Sequence, residues 1–128
     1  VAVNVLVVDD QETFRAAERA VISRLPGFAL VAEAASGEEA VDLAEALAPD
    51  LVLMDINMGE VDGIEATRRI TAGRPATKVI LVSTYTLEEL PAAARTSGAV
   101  GYVNKDELSP RAIRRIWENG ADPAWMDD

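Results

Sequence analysis

Five short aliphatic runs, each followed by a stretch of helical periodicity, constrain this chain more than any other feature. The runs lie at 4–8, 28–34, 51–54, 78–82 and 101–103. Those at 4–8 and 51–54 read as strands buried in a sheet, since a strand covered on both faces needs no polar alternation. After the first run, Phe14, Ala17, Val21, Ile22 and Leu25 form one face of a helix over 11–25, stopped by Pro26-Gly27. Ser36 and Glu39 form a capping box that opens a second helix, which carries Ala40, Val41, Leu43, Ala44 and Leu47 and ends before Pro49. Asp62 is the N-cap of a third helix, running to about residue 72 with Gly73 as its stop. A fourth helix is expected over 86–97, closed by Gly98, but Pro91 falls inside it, so it begins late or is kinked. Ser109-Pro110 starts a fifth helix, bearing Ala112, Ile113, Ile116 and Trp117 and ended by Gly120. Ile113 and Trp117 are spaced to share one face, and core packing is favoured over a partner for it.

Strands alternating with helices imply right-handed crossovers and a parallel sheet covered on both sides. With five units the expected fold is α/β, a flavodoxin-like (βα)5 sandwich with strand order 2-1-3-4-5. One domain is expected over 1–120, followed by an acidic C-terminal tail over 121–128. In that order the first and third strands are neighbours. Asp9-Asp10, after the first run, then stands beside Asp55, after the third, at the sheet edge where such folds place their sites.

Composition removes several chemistries. The 128 residues include no Cys and no His, so thiolate and imidazole nucleophiles, disulfides and Cys- or His-ligated metals are excluded. Any histidine chemistry must come from a partner. The absence of Cys fits a reducing cytoplasm, which is the expected location. No apolar run approaches the length of a membrane span, so no membrane contact is expected. The net charge of −10 opposes nucleic acid as a ligand of this chain, and the basic clusters at Arg68-Arg69 and Arg111, Arg114 and Arg115 read as solvated helix faces.

Three clustered carboxylates repel one another and call for a cation; hard oxygen donors with few protein contacts suit Mg²⁺, with Mn²⁺ as a substitute. In order, Asp9-Asp10, Asp55, Ser83 and Lys105 each follow the end of an expected strand, and Tyr102 lies within the last one. Together with Asn57-Met58, Asp62-Gly63, Gly98-Ala99 and Gly101-Tyr102, they make residues 3–119 resemble the receiver domain of two-component response regulators, a CheY-like domain of NarL/LuxR type. The resemblance implies that Asp55 is the phosphorylated residue. It implies that Asp10 and Asp55 bind the metal directly, Asp9 through water, and Asn57 by its backbone carbonyl. Lys105 and Ser83 would contact the phosphoryl oxygens, and Ser83 with Tyr102 would form the switch. The donor would be a phosphohistidine on a sensor histidine kinase, with small acyl phosphates as a second source. The chain would catalyse only its own phosphorylation and dephosphorylation. It would signal to a downstream effector or output domain through the face made by the fourth helix, fifth strand and fifth helix, as a monomer or a phosphorylation-favoured homodimer. Whether it stands alone or is the receiver of a longer DNA-binding protein stays open.

The chain departs from the family pattern at several places. Gly59 replaces a common proline, Asp106 follows Lys105 where a cis proline is frequent, so that bond is expected to be trans, and Thr84 is bulkier than usual. Asn57 and Tyr85 are further positions expected to alter phosphoryl lifetime. An alternative function is a phosphorylation-independent interaction module, which would predict lost site residues; none is lost. A flavodoxin-type cofactor binder needs a phosphate cradle where Asp9-Asp10 stands. A haloacid-dehalogenase-type phosphatase needs a second Asp where Asn57 stands.

Overall fold

The computed structural model describes residues 2–119. Gly120 and the acidic tail expected over 121–128 lie outside the described residues. The elements alternate as expected: β1 (Val3–Val8), α1 (Glu12–Ser23), β2 (Phe28–Ala34), α2 (Gly37–Leu47), β3 (Leu51–Asp55), α3 (Gly63–Gly73), β4 (Lys78–Ser83), α4 (Ala92–Arg95), β5 (Gly101–Asn104), a 3₁₀ turn (Lys105–Glu107) and α5 (Pro110–Asn119). The sheet is parallel throughout, in the order β2-β1-β3-β4-β5. No helix among the described residues is long and apolar enough to cross a membrane.

The strands sort their side chains by alternation. Val5, Val7, Leu51, Leu53, Ile80, Val82 and Val103 face α1 and α5, where Ile22, Ile113 and Ile116 complete one core. Leu6, Val8, Val52, Met54, Val79, Leu81 and Tyr102 face the other side, with Ala40, Ala44, Ala66, Ile70 and Ala94 from the three remaining helices. Interior strands covered on both faces explain why their sequences are continuous apolar runs. Ile113 is fully buried, whereas Trp117 is half-buried and packs edge-on against Phe28 at 6.0 Å, so both serve the core.

Three helix starts match their signals, one of them at Ser109, whose hydroxyl accepts from the Ala112 N–H at 3.1 Å just ahead of Pro110. The Ser36 hydroxyl accepts from the Glu39 N–H at 3.1 Å, while the Glu39 carboxylate reaches back to the Ala35 N–H at 2.8 Å. Asp62 accepts from the Glu65 N–H at 2.9 Å. The fourth helix is much shorter than the expected 86–97. Pro91 stands at its N-cap and only Ala92–Arg95 are helical, so the helix begins late rather than kinking. Ahead of it, Thr86 and Glu89 close a separate turn by reciprocal side-chain to backbone bonds of 2.9 and 3.2 Å.

Candidate functional site

The C-terminal ends of β1, β3, β4 and β5 place every residue of the expected site at one edge of the sheet. β1 and β3 pair with Val8 opposite Met54, so Asp9 and Asp55, the next residue of each, emerge side by side. One oxygen from each of Asp9, Asp10 and Asp55 lies within 4.8 Å of the others. Asp9 and Asp55 are buried and Asp10 is exposed. The start of α3 packs directly on this edge. The Gly63 N–H bonds the Ile56 carbonyl at 2.8 Å, and a Cβ on Gly63 would lie 1.9 Å from the Asp55 carbonyl oxygen. Gly59, in the same loop, has φ +29°, a conformation that a proline cannot adopt.

Lys105 leaves the end of β5 and returns into the cluster. Its Nζ stands 2.9 Å from Asp9 Oδ2 and 3.5 Å from Asp55 Oδ1, and 4.3 Å from the centroid of the Phe14 ring. Burial acts to lower the Lys105 pKa, but the pairs with Asp9 and Asp55 outweigh it and hold it above the ordinary value. Asp55 moves the other way. Burial, then the negative charge of Asp9, push its carboxyl up to about 6 against the opposing pull of Lys105. Asp9 is fixed on two sides: its Oδ1 accepts from the Gln11 N–H at 2.8 Å, and its carbonyl accepts from Arg15 at 2.7 Å.

Ser83 and Tyr102 are joined. Ser83 Oγ lies 3.0 Å from the Tyr102 hydroxyl, which also contacts the Ser83 carbonyl at 2.9 Å and the Tyr85 carbonyl. The Tyr102 ring is buried, and burial raises its pKa. Asn57 lies two residues beyond Asp55, and its side chain accepts from the Tyr85 hydroxyl at 3.3 Å. The peptide between Lys105 and Asp106 is trans, as expected without a proline.

Sequence reasoning missed four contributors: Phe14 under the Lys105 ammonium, Arg15 on the Asp9 carbonyl, Asn104 beside Tyr85, and Glu18. Glu18 is 1% exposed, and neither carboxylate oxygen has a hydrogen-bond partner. Its signal was available, because 14, 18, 22 and 25 form one helical stripe with a carboxylate in its middle.

Three hard-oxygen donors in one place, with one ammonium among them, form a cluster that can hold a metal ion. Set at the switch edge of a doubly wound sheet beside a lysine and a hydroxyl, they define a phosphoryl-handling α/β domain. The chain belongs to the response regulator receiver domain family, whose model matches residues 5–117. Response regulator UvrY of Escherichia coli O6:H1 is 42% identical over 114 residues, covering 89% of this chain and 52% of that protein. Response regulator GacA of Pseudomonas aeruginosa is 35% identical over 118 residues, covering 90% and 55%. A crystal structure of a LuxR-family two-component response regulator from Aurantimonas sp. SI85-9A1 superimposes with a TM-score of 0.82 at 34% identity, over 93% of this chain and 84% of that one. The chain spans about half the length of the curated relatives it matches. Accepting a phosphoryl group in two-component signalling is the function of this family.

Proposed function

We propose that Asp55 is the phosphoacceptor, that Mg²⁺ is the cation, and that a sensor histidine kinase is the donor's source. The observation that carries this reading is the convergence of Asp9, Asp10, Asp55 and Lys105 at one sheet edge. Asp10 and Asp55 would hold the ion directly, Asp9 through water, and the Asn57 carbonyl would complete the protein ligands. Bound there, Mg²⁺ would neutralise charge on the phosphoryl oxygens.

This chain's own groups do the rest. A carboxylate oxygen of Asp55 forms the new P–O bond as the donor's P–N bond breaks, or its P–O bond when the donor is acetyl phosphate. The electron pair leaves with imidazole or acetate. Such a loose transition state needs positioning and charge compensation above all. Lys105, already 3.5 Å from Asp55, supplies a positive charge for one phosphoryl oxygen, and the Ser83 hydroxyl donates to another. Hydrolysis at the same place ends the signal, so the chain catalyses its own phosphorylation and dephosphorylation only. Engagement of Ser83 is read by Tyr102, whose hydroxyl it touches. Tyr102 lines a groove of about 740 Å³ with Tyr85, Asn104, Glu107 and Arg115, on the side formed by the segment ahead of α4, by β5 and by α5. That side is the surface for an effector or an output domain, in the cytoplasm, with the receiver as a monomer or a homodimer favoured by phosphorylation.

The test is intact-protein mass after incubation with acetyl phosphate and Mg²⁺, beside Asp55→Asn and a sample with EDTA. One added phosphoryl group in the wild type, absent from both controls, is the expected result. No addition, even with a competent kinase, overturns the reading.

A further inference from the structure

At the mouth of the site one carboxamide joins two segments that carry different parts of the chemistry. Asn104 ends β5 and pairs in register with Ser83, the end of β4. Its Oδ1 accepts from the Asp106 N–H at 2.9 Å, capping the 3₁₀ turn that bears Lys105. Its Nδ2 donates to the Tyr85 carbonyl at 3.0 Å. The amide orientation is settled by its neighbours, since the flipped group would face donor to donor and acceptor to acceptor.

Tyr85 is thereby held along its backbone. Its N–H meets Ser83 Oγ at 3.2 Å, and its carbonyl accepts from both Tyr102 and Asn104. Its phenol then crosses to Asn57 Oδ1, 3.3 Å away and two residues beyond Asp55. The Asn104 bond is not needed to satisfy the Tyr85 carbonyl, which Tyr102 already serves, and the Asp106 N–H is exposed to water. What the carboxamide adds is geometry. It has a donor end and an acceptor end, so it can bridge a carbonyl on one segment and an N–H on another.

We propose that Asn104 is a positioning residue that ties the Lys105 turn to the Tyr85 segment and so holds the Tyr85 phenol across the mouth of the Asp55 site, restricting the access of water and phosphoryl donors. Its effect on phosphoryl lifetime rests on Asp55 being the phosphoacceptor; its effect on Tyr85 does not.

Two variants separate the bridge from the cap. Asn104→Asp keeps the acceptor for Asp106 and loses the donor to Tyr85, whereas Asn104→Ala loses both. In the unphosphorylated full chain, amide exchange over 84–90 should rise about fivefold in both variants, the loss of one hydrogen bond, with β1 and β3 unchanged. With acetyl phosphate and Mg²⁺, the phosphoprotein half-life should fall at least about threefold in Asn104→Ala. In a Tyr85→Ala background the same substitution should change it by less than about twofold, because the two act as one unit. Unchanged exchange over 84–90 overturns the proposal, as does an equal loss of lifetime with and without Tyr85. A wild type that takes up no phosphoryl group, even from a competent kinase, defeats the phosphoacceptor reading, and amide exchange then decides the bridge alone.

Discussion

Glu18 shows how much one side chain in a core position can set. Helical side chains lean toward the N-terminus of their helix, which in α1 is the end beside Asp9 and Asp10. Burial, then the charge of Asp9, push its carboxyl from an ordinary 4.5 up to about 9. Between those values the unfolded chain releases a proton that the folded chain keeps. This group therefore contributes most stability below about pH 4.5, and the contribution is lost as pH rises toward 9, at up to about 1.4 kcal/mol per pH unit. Urea unfolding of wild type and Glu18→Gln from pH 5 to 9 should show the difference between them growing in favour of the variant as pH rises. A constant difference would mean that Glu18 ionises normally. Lys105 makes the opposite case under the proposed function, since its charge would serve phosphoryl transfer. Lys105→Ala should slow phosphorylation by acetyl phosphate roughly 10²- to 10³-fold, the usual cost of removing a charge stabiliser, as read by the rate of mass gain.

Among the elements, α3 and α4 are placed by opposite means. The start of α3 is wedged against the strand that carries Asp55, and only a glycine fits there, since a Cβ would meet the Asp55 carbonyl at 1.9 Å. Gly63→Ala should cost about 1–3 kcal/mol in urea unfolding, because backbone has to move, and should also slow phosphorylation by displacing Asp55. A loss of under about 0.5 kcal/mol, the range of an ordinary surface substitution, would mean that the α3 start is free to shift. By contrast, α4 is one turn long because Pro91 cannot accept the preceding residues into the helix. The chain before it spends those residues on the Thr86–Glu89 turn and on Tyr85, beside the groove that also holds Tyr102 and Asn104. Thr86, Leu87 and Glu88, which a longer α4 would have included, instead line the groove beside Tyr102.

At the scale of the molecule, a cation held at the acidic edge, as proposed, would be tied to folding. Asp9, Asp10 and Asp55 are assembled only when β1 and β3 pair, so the unfolded chain has no equivalent site. Mg²⁺ should therefore stabilise the fold by mass action, by about 2.7 kcal/mol at a hundred times its dissociation constant. Thermal melts across a Mg²⁺ titration should show a rising midpoint in the wild type and a flat one in Asp55→Asn. A rise of equal size in that variant would place the ion elsewhere.

The strand order and the meeting of Asp9, Asp10, Asp55, Ser83 and Lys105 at one edge were legible in the chain, because short apolar runs alternating with helical stretches fit a parallel sheet covered on both faces, and its topology brings the strand ends together. The Ser36 and Asp62 caps were legible for a similar reason: each works through a residue three positions away. Other features depended on contacts between residues distant in sequence. Phe14 lies beneath Lys105 across 91 positions, and Asn104 reaches Tyr85 across 19. Pro91 in the sequence allows either a late start or a kink, and in the fold α4 starts late, with Pro91 at its N-cap. Local pattern encodes what a residue offers its near neighbours along the chain. Which lysine finds a ring, and which amide spans two loops, is decided only when the sheet brings remote segments within a few ångströms.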